Sequence, residues 1–327
     1  MTARNEPVKC HSAFGMAAKG RKERKEERGY FCEKVRVHPV DECRHHLSLS
    51  PSAFFRGSTS ADSRMKRAAF TLIELLVVLT IIAVLASLLM PALRQAKLRS
   101  YAARSSHNLR QLVAANITHA ADKGFYVPAD DRRNNRRWHG GRAATDKPFD
   151  PAKGFLADYL GKSRTITTDP LFTEMLKGSK TFEEGTGGYG YNASYIGGTP
   201  QWAWNRDGTR VSARPVEIER PSSTVMFTTT AFPRADGIQE YPYSEPPFWD
   251  FGNGPTASRP FPSVHFRFNG LAIVGWCDGH VSMETKVKSE VGDDPYGGAP
   301  NAENIGWFGP DDDNGYWNPR RVEPDVR

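Results

Sequence analysis

Cysteine is scarce in this chain of 327 residues, which holds four. Cys10, Cys32 and Cys43 are separated by 21 and 10 residues, a spacing that does not fit the short paired-ligand pattern of a zinc site. Cys277 is the one cysteine within residues 70–327. No disulfide can form within that part of the chain, so a domain there must be stable without one.

An excess of charge is also missing from most of the chain. Residues 1–69 hold 15 Lys and Arg against 8 Asp and Glu, which accounts for the whole formal charge of +7. With 44 basic and 37 acidic residues in total, residues 70–327 hold 29 of each sign. Proteins that bind nucleic acid generally rely on surplus positive charge. We therefore expect no nucleic-acid partner and disfavour a role in DNA uptake.

Catalytic motifs are lacking as well. The run Gly187–Asn192 is rich in glycine but has no Lys-Ser/Thr end of a phosphate-binding loop. No motif places a Ser or Cys nucleophile beside His265, Asp278 or His280. The sequence predicts no enzymatic activity; the alternative of an anchored hydrolase would need a nucleophile clustered with His265 and Asp278, which the sequence does not supply.

What the chain does have is a long apolar run, Phe70–Leu93, whose one charge is Glu74. As a helix at about 1.5 Å per residue, this run reaches roughly 36 Å, enough to cross a hydrocarbon core of about 30 Å. Small residues stand before the run, whereas a secretory signal peptide has them after a shorter apolar stretch. The run therefore predicts a transmembrane helix over residues 70–93.

Glu74 is unusual in such a helix, because a carboxylate inside a bilayer is unfavourable and usually has a partner. Cleavage between Ala69 and Phe70 would create a new amine at Phe70. A helix cannot fold its first residue back onto its fifth, so the expected partner is the amine of an adjacent subunit. This arrangement predicts a stack of helices.

The segment Ala69–Leu75, AFTLIEL, resembles the leader of type IV prepilins and type II secretion pseudopilins. In that family a prepilin peptidase cuts before Phe and methylates the new amine. The resemblance implies processing at Ala69 and Phe70 and an assembly role for Glu74. It also implies a helix kink at Pro91, where the family often carries a proline that removes a backbone hydrogen bond. Ala69 stands where the family usually has Gly, and an uncleaved signal anchor is the alternative.

Residues 1–64 show no sustained apolar periodicity, and Lys19–Gly29 is a run of charges. We interpret residues 1–69 as a leader or a disordered N-terminal extension. Met65 is a candidate for the true start, which would leave the short leader MKRAA.

Beyond Pro91 the helical pattern continues. Apolar and small residues recur in steps of three and four, as at Leu98, Leu109 and Val113, with basic residues off that stripe. The pattern predicts a helical stem over residues 94–124 that packs on a domain and ends at a glycine cap.

Within the stem, the sequence His107–Leu112, HNLRQL, resembles a pseudopilin-like subfamily. Asn108 and Gln111 are interpreted as solvated side chains without chemistry.

Residues 125–327 are rich in Gly, Pro and aromatic residues with turn signals every few positions. They predict a mostly antiparallel β, loop-rich exported domain, which with the long helix gives an α+β, pilin-like fold. Tyr189–Asn192 predicts a strand with alternating tyrosines, Arg220–Phe227 a turn that enters a strand, and Asp278-Gly279 a hairpin turn.

These three elements resemble the same subfamily, whose C-terminal motif is His-x9-Asp-Gly. Phe268 stands at the position of its histidine, and His265 lies three residues earlier.

Two clusters of charge lie in the predicted domain. Asp130–Arg137, DDRRNNRR, is interpreted as a solvated loop, because both signs are present and the domain has no net charge. Asp311, Asp312 and Asp313 have the oxygen ligands that suit calcium, and some major pseudopilins hold calcium in a C-terminal loop. The alternative is a solvated acidic turn, and no other cofactor is expected.

Five tryptophans lie in polar loops rich in Gly and Pro: Trp202, Trp204, Trp249, Trp307 and Trp317. Exposed together they would form a contact face for a glycan or a protein. The more common arrangement is that such rings fill the small cores of long loops.

These patterns predict a single-pass bacterial inner-membrane protein with a cytoplasmic N-terminus and a periplasmic or extracellular C-terminal domain. By resemblance it is a prepilin-like subunit that assembles into a type II secretion pseudopilus or a related type IV pilus-like filament for protein export. The implied partners are a prepilin peptidase, other pilin or pseudopilin subunits and an inner-membrane assembly platform. The alternative is a membrane-anchored glycan-binding or surface-binding adhesin or tip protein.

Overall fold

The computed structural model describes residues 71–176, 183–256, 258–287, 298–310 and 314–320. The chain divides into two units, Met1–Ala68 and Ala69–Arg327, and every described residue belongs to the second. The interpretation of residues 1–69 as a leader or extension therefore concerns residues outside the described ranges.

The long helix, α1, spans Leu72–Lys123 and has 52 residues, which gives a length of roughly 78 Å. Gly124 ends it in a left-handed conformation with φ 84°, and its N–H donates to the carbonyl of Ala120 over 2.8 Å. A side chain at this position would be strained, which is why glycine is the usual cap. The predicted end of the stem is thus confirmed.

A short second helix, α2, and ten short strands follow α1 in the described residues. Their bounds are α2 Pro170–Met175, β1 Arg136–Arg137, β2 Gly140–Gly141, β3 Tyr189–Tyr191, β4 Val225–Thr229, β5 Phe232–Arg234, β6 Gly237–Gln239, β7 Val264–His265, β8 Leu271–Trp276, β9 Val281–Thr285 and β10 Ile305–Gly306.

Four of these strands form the central sheet in the order β3-β4-β8-β9, with every neighbouring pair antiparallel. Strands β8 and β9 form the predicted hairpin around Asp278-Gly279, where Gly279 has φ 99°. The turn Pro221–Ser223 leads into β4 as predicted. The remaining strands form the two-stranded pairs β1-β2, β5-β6 and β7-β10, also antiparallel.

The second half of α1 covers one face of the central sheet. Leu109, Leu112 and Val113 are buried in one cluster with Phe227 of β4 and Ile273 of β8. A Cβ atom at Gly275 of β8 would lie 2.6 Å from Val113 Cγ2, so the absence of a side chain there lets helix and sheet approach closely.

Aromatic residues near the end of the chain cover the other face. Val274 and Trp276 of β8 belong to a second buried cluster with Trp307, Phe308 and Trp317. Both faces of β4 and β8 are therefore buried, which fits the absence of charged residues from both strands. The long helix followed by a mostly antiparallel domain confirms the predicted α+β, pilin-like fold.

Candidate functional site: the long helix and its attachment to the domain

The start of α1 is fixed by two side chains. The N–H and hydroxyl of Thr71 both donate to Glu74 Oε2, over 2.9 and 2.8 Å, and the Glu74 N–H donates to Thr71 Oγ1 over 3.2 Å. This reciprocal capping box satisfies N–H groups that the first helical turn leaves unpaired. The Thr-x-x-Glu spacing before an apolar run was the available sequence signal for it.

The first half of α1 is apolar and uncovered. Its aliphatic side chains between Leu72 and Leu93 are exposed, from 48% at Val78 to 84% at Leu72. The hydroxyls of Thr80 and Ser87 donate to carbonyls within the helix, over 2.8 and 2.7 Å. Apart from Glu74, the polar side chains here are hydroxyls bonded within the helix, so this half fits a single-pass membrane anchor.

Helix α1 continues through Pro91 without interruption. Proline has no N–H to donate to the carbonyl four residues earlier, that of Ser87. A shallow surface depression next to Pro91 is lined by Ser87, Met90, Arg94 and Gln95. The predicted kink remains a prediction.

A chain of buried polar groups joins the second half of α1 to the domain. Ser105 Oγ donates to Asp169 Oδ2 over 2.6 Å and lies 3.1 Å from the hydroxyl of Tyr189. Since Ser105 has one hydroxyl hydrogen, Tyr189 is the donor in that second bond. Asn108 Nδ2 in turn donates to the Tyr189 hydroxyl over 3.2 Å. Burial raises the pKa of Tyr189 to about 12, so this hydroxyl keeps its proton.

The far end of this chain is a fully buried ion pair. Arg267 Nε donates to Asp169 Oδ2 over 3.2 Å, and both side chains are entirely inaccessible to solvent. Arg267 also donates to the carbonyls of Gly188 and Thr230, over 2.6 and 3.2 Å. Asp169 Oδ1 meanwhile accepts from the N–H groups that begin α2. These additional bonds are what a buried pair requires to offset its loss of hydration.

A second polar contact lies further along α1. Asn116 Nδ2 donates to the Tyr191 hydroxyl over 3.0 Å, and that hydroxyl donates to the Val127 carbonyl over 3.0 Å. The Val127 N–H returns to Asn116 Oδ1 over 2.9 Å, so the three groups close a ring. Both tyrosines of β3 therefore reach an asparagine of α1.

The interpretation of Asn108 as a solvated side chain was wrong. It is buried and bonded to Tyr189, because the domain lies against this face of α1. Gln111 is exposed as expected and bonds His107 on the same helix over 3.0 Å.

The solvated-loop interpretation of residues 130–137 was wrong at both ends of that loop. Arg210 donates to both carboxylate oxygens of Asp130 over 2.7 and 3.1 Å in a buried pair. Arg137 forms a second buried pair, with Glu183. Opposite charges distant in sequence neutralise these two residues, whereas Arg132 and Arg133 between them are exposed.

His265, Asp278 and His280 do not form one site. His265 is buried on β7, where its Nδ1 lies 3.0 Å from Arg267 Nη1. Asp278 and His280 bond each other over 2.6 Å at the β8–β9 turn. Phe268, at the position of the subfamily's histidine, is buried in the core beneath α1.

Of the five tryptophans, Trp307 and Trp317 fill the core as expected, while Trp202 is exposed and Trp204 and Trp249 are half-buried. The proposed calcium ligands Asp311, Asp312 and Asp313 lie outside the described residues, as do Ala69 and Phe70. No cluster of three or more His, Cys, Asp or Glu occurs within the part of the chain that the structure describes.

Residues 64–90 match the family model of the prokaryotic N-terminal methylation motif. This is a prepilin-type N-terminal segment. The resemblance predicted from the sequence is confirmed for it, and the chain is pilin-like both here and in its α+β fold. Such a segment implies processing by a prepilin peptidase and assembly with other pilin subunits. No curated protein and no solved structure matches the chain.

Proposed function

We propose that the protein is a structural filament subunit, cut before Phe70 and methylated on the new amine. Its N-terminal helix assembles it into a type II secretion pseudopilus or a related type IV pilus-like filament for protein export. The observation that carries this proposal is the uncovered apolar half of α1, which begins at Leu72 and carries Glu74 inside a methylation motif.

We infer a bacterial inner-membrane location before assembly. The basic residues ahead of Phe70 favour a cytoplasmic N-terminus, which would place the domain on the periplasmic or extracellular side. Partners on this reading are the prepilin peptidase, neighbouring subunits and the secretion system's inner-membrane assembly platform.

The capping box supports a registration role for Glu74. Both bonds from Thr71 end on Oε2, so capping leaves the second carboxylate oxygen for another donor. In a stack of helices, the Phe70 amine of a neighbouring subunit supplies that donor. The carboxylate and the amine would then neutralise each other in a lipid environment, where either alone is unfavourable.

The first test is the intact mass and N-terminal sequence of protein isolated from native membranes. An N-terminal methylated Phe70 is the expected result. A chain that still carries Ala69 would contradict the proposed processing, and the protein would then be a static anchor.

The second test separates charge from capping. Glu74→Gln keeps an acceptor for Thr71 but removes the charge, so we expect normal membrane insertion and loss of incorporation into sheared filaments. Glu74→Val should give the same loss. Thr71→Ala removes the cap but keeps the charge, so it should still be incorporated. Normal incorporation of Glu74→Gln would exclude charge-based registration.

A further inference from the structure

Two loops of the domain meet in an aromatic ledge formed by Trp202, Trp249 and Phe251. The ring centroids of Trp202 and Trp249 lie 6.2 Å apart, and those of Trp249 and Phe251 lie 6.3 Å apart with planes inclined by 15°. Trp202 is 36% exposed and Phe251 is 59% exposed. The proposed assembly through α1 assigns no role to these three rings.

The ledge rests on a fixed charge pair. The Arg210 guanidinium lies 4.1 Å from the centroid of the Trp202 ring, within the range of a cation–π contact. Asp130 holds that guanidinium through two hydrogen bonds and neutralises it. One face of the Trp202 ring is therefore covered by Arg210, and the Arg210–Asp130 pair adds no net charge to the surface.

The second loop is fixed just as firmly. Tyr195 donates to Asp250 Oδ2 over 2.9 Å, and the Gly252 N–H donates to Asp250 Oδ1 over 2.8 Å. A Cβ atom at Gly252 would lie 2.4 Å from Gln201 Cγ, so glycine allows the two loops to touch. The rings are thus positioned in advance by contacts to the interior.

Trp202 also has a strained backbone, with φ 54°. Bulky residues rarely adopt this conformation, and its cost persists where the surroundings enforce it, often at functional sites. Glycine would fit this backbone more easily, so the tryptophan is held in this conformation by the contacts of its ring with Arg210 and Trp249.

We propose that the aromatic ledge binds a neutral oligosaccharide. Flat, partly exposed rings pack against the apolar C–H faces of sugars, and the exposed amides of Gln201 and Asn253 beside them can hydrogen-bond hydroxyls. Neutralisation of Arg210 by Asp130 favours a neutral ligand over an anionic one.

A second copy of the chain is the weaker occupant. A stable protein interface buries about 800 Å² on each side. Three aromatic side chains bury roughly 450–750 Å² when fully covered, and these three are already partly covered. The ledge is better matched to a ligand a few sugar rings long.

The test uses the full chain in a detergent without a sugar headgroup, such as a dimethylamine oxide. Cellohexaose, chitohexaose and maltohexaose are titrated while tryptophan fluorescence and heat are recorded. We expect saturable binding of at least one of them. Phe251→Ala and Trp249→Ala should each weaken it by about tenfold or more, while Val216→Ala, at an exposed apolar position outside the ledge, should leave it unchanged.

Trp202→Gly separates folding from binding. Glycine relieves the positive φ, so the domain should remain folded while binding weakens by about tenfold. Failure of the wild-type protein to bind any of the three sugars saturably would overturn the proposal. So would undiminished binding in Phe251→Ala and Trp249→Ala. Ledge variants that lose self-association, with no sugar bound by the wild type, would identify a contact between copies instead. None of these outcomes depends on filament assembly.

Discussion

In the first half of α1, residues 72–93, apolar side chains lie exposed and hydroxyl groups bond within the helix. In the second half, residues 98–123, polar side chains bond the domain and apolar ones enter its core. One continuous helix therefore meets two surroundings. The difference teaches that the position of the polar groups, as much as the apolar pattern, separates a lipid-facing helix from a packed one.

The largest effect is expected from breaking the buried ion pair of the domain that bonds the second half of α1. Asp169→Ala would leave the Arg267 charge buried without its partner, and should lower the free energy of unfolding by about 3–5 kcal/mol. Urea unfolding of the full chain in detergent measures this. Glu174→Ala is the matched control, because Glu174 pairs with Lys97 at the exposed edge of the same interface. Equal, small changes in both variants would show that the buried pair is dispensable.

Low pH is expected to destabilise the domain and not the first half of α1, because that half has no histidine. Burial, with nearby arginine charges, holds the pKa of His139 and His265 well below the usual range. The folded protein keeps both neutral while the unfolded chain binds protons below about pH 6.5. The free energy of unfolding should fall as the pH falls through that value, by up to about 1.4 kcal/mol per pH unit for each histidine.

His139→Phe sharpens this prediction. Both ring nitrogens of His139 are buried without a hydrogen bond, and its ring packs against Trp138 and Phe149. Phenylalanine should therefore raise the free energy of unfolding by about 1 kcal/mol near neutral pH and reduce its loss in acid. Urea unfolding at several pH values measures both effects. If the free energy of unfolding of His139→Phe fell with pH as steeply as that of the wild type, His139 would not be a source of the acid sensitivity.

An effect smaller than that of Asp169→Ala is expected where helix and sheet touch. Gly275→Ala introduces a methyl group into the space of Val113 and should destabilise the domain by about 1–3 kcal/mol. Val113→Ala in the same chain should recover part of that loss, so the two changes would be non-additive. Strict additivity would show that these residues do not limit the approach of α1.

The smallest effect is expected in the uncovered half. Leu79→Ala should leave the free energy of unfolding of the domain within about 0.5 kcal/mol of the wild type. Leu109→Ala on the same helix leaves a cavity in the core and should lower the free energy of unfolding by about 2–5 kcal/mol. A comparable loss in Leu79→Ala would mean that the first half is coupled to the domain's stability.

Sequence patterns predicted the local features of this fold. The end of α1 at Gly124, the strand of Tyr189 and Tyr191, and the Asp278-Gly279 hairpin each follow from residues close together in the chain. Local chemistry decides such features, so a short segment is enough to reveal them.

The attachment of α1 to the domain was not predictable in the same way. Asn108 alone resembles any polar residue on a helix, and its partner Tyr189 lies 81 positions away. Asp169 and Arg267 are 98 positions apart, and no local signal pairs them. Asp169 directly before a proline does indicate a helix cap. It does not indicate that the second carboxylate oxygen accepts a hydrogen bond from Ser105 of α1.

The polar contacts of Trp317 bear on the timing of folding. Its indole N–H donates to the Ser244 carbonyl over 3.0 Å, and its own carbonyl accepts from Asn192 over 3.0 Å. Asn192 and Trp317 are 125 positions apart, so β3 and its surroundings cannot be completed until nearly the whole chain has been made. Long-range closure of this kind slows folding. The domain therefore gains these contacts only after residue 317 has been synthesised, and we expect a chain stopped before Trp317 to lack them.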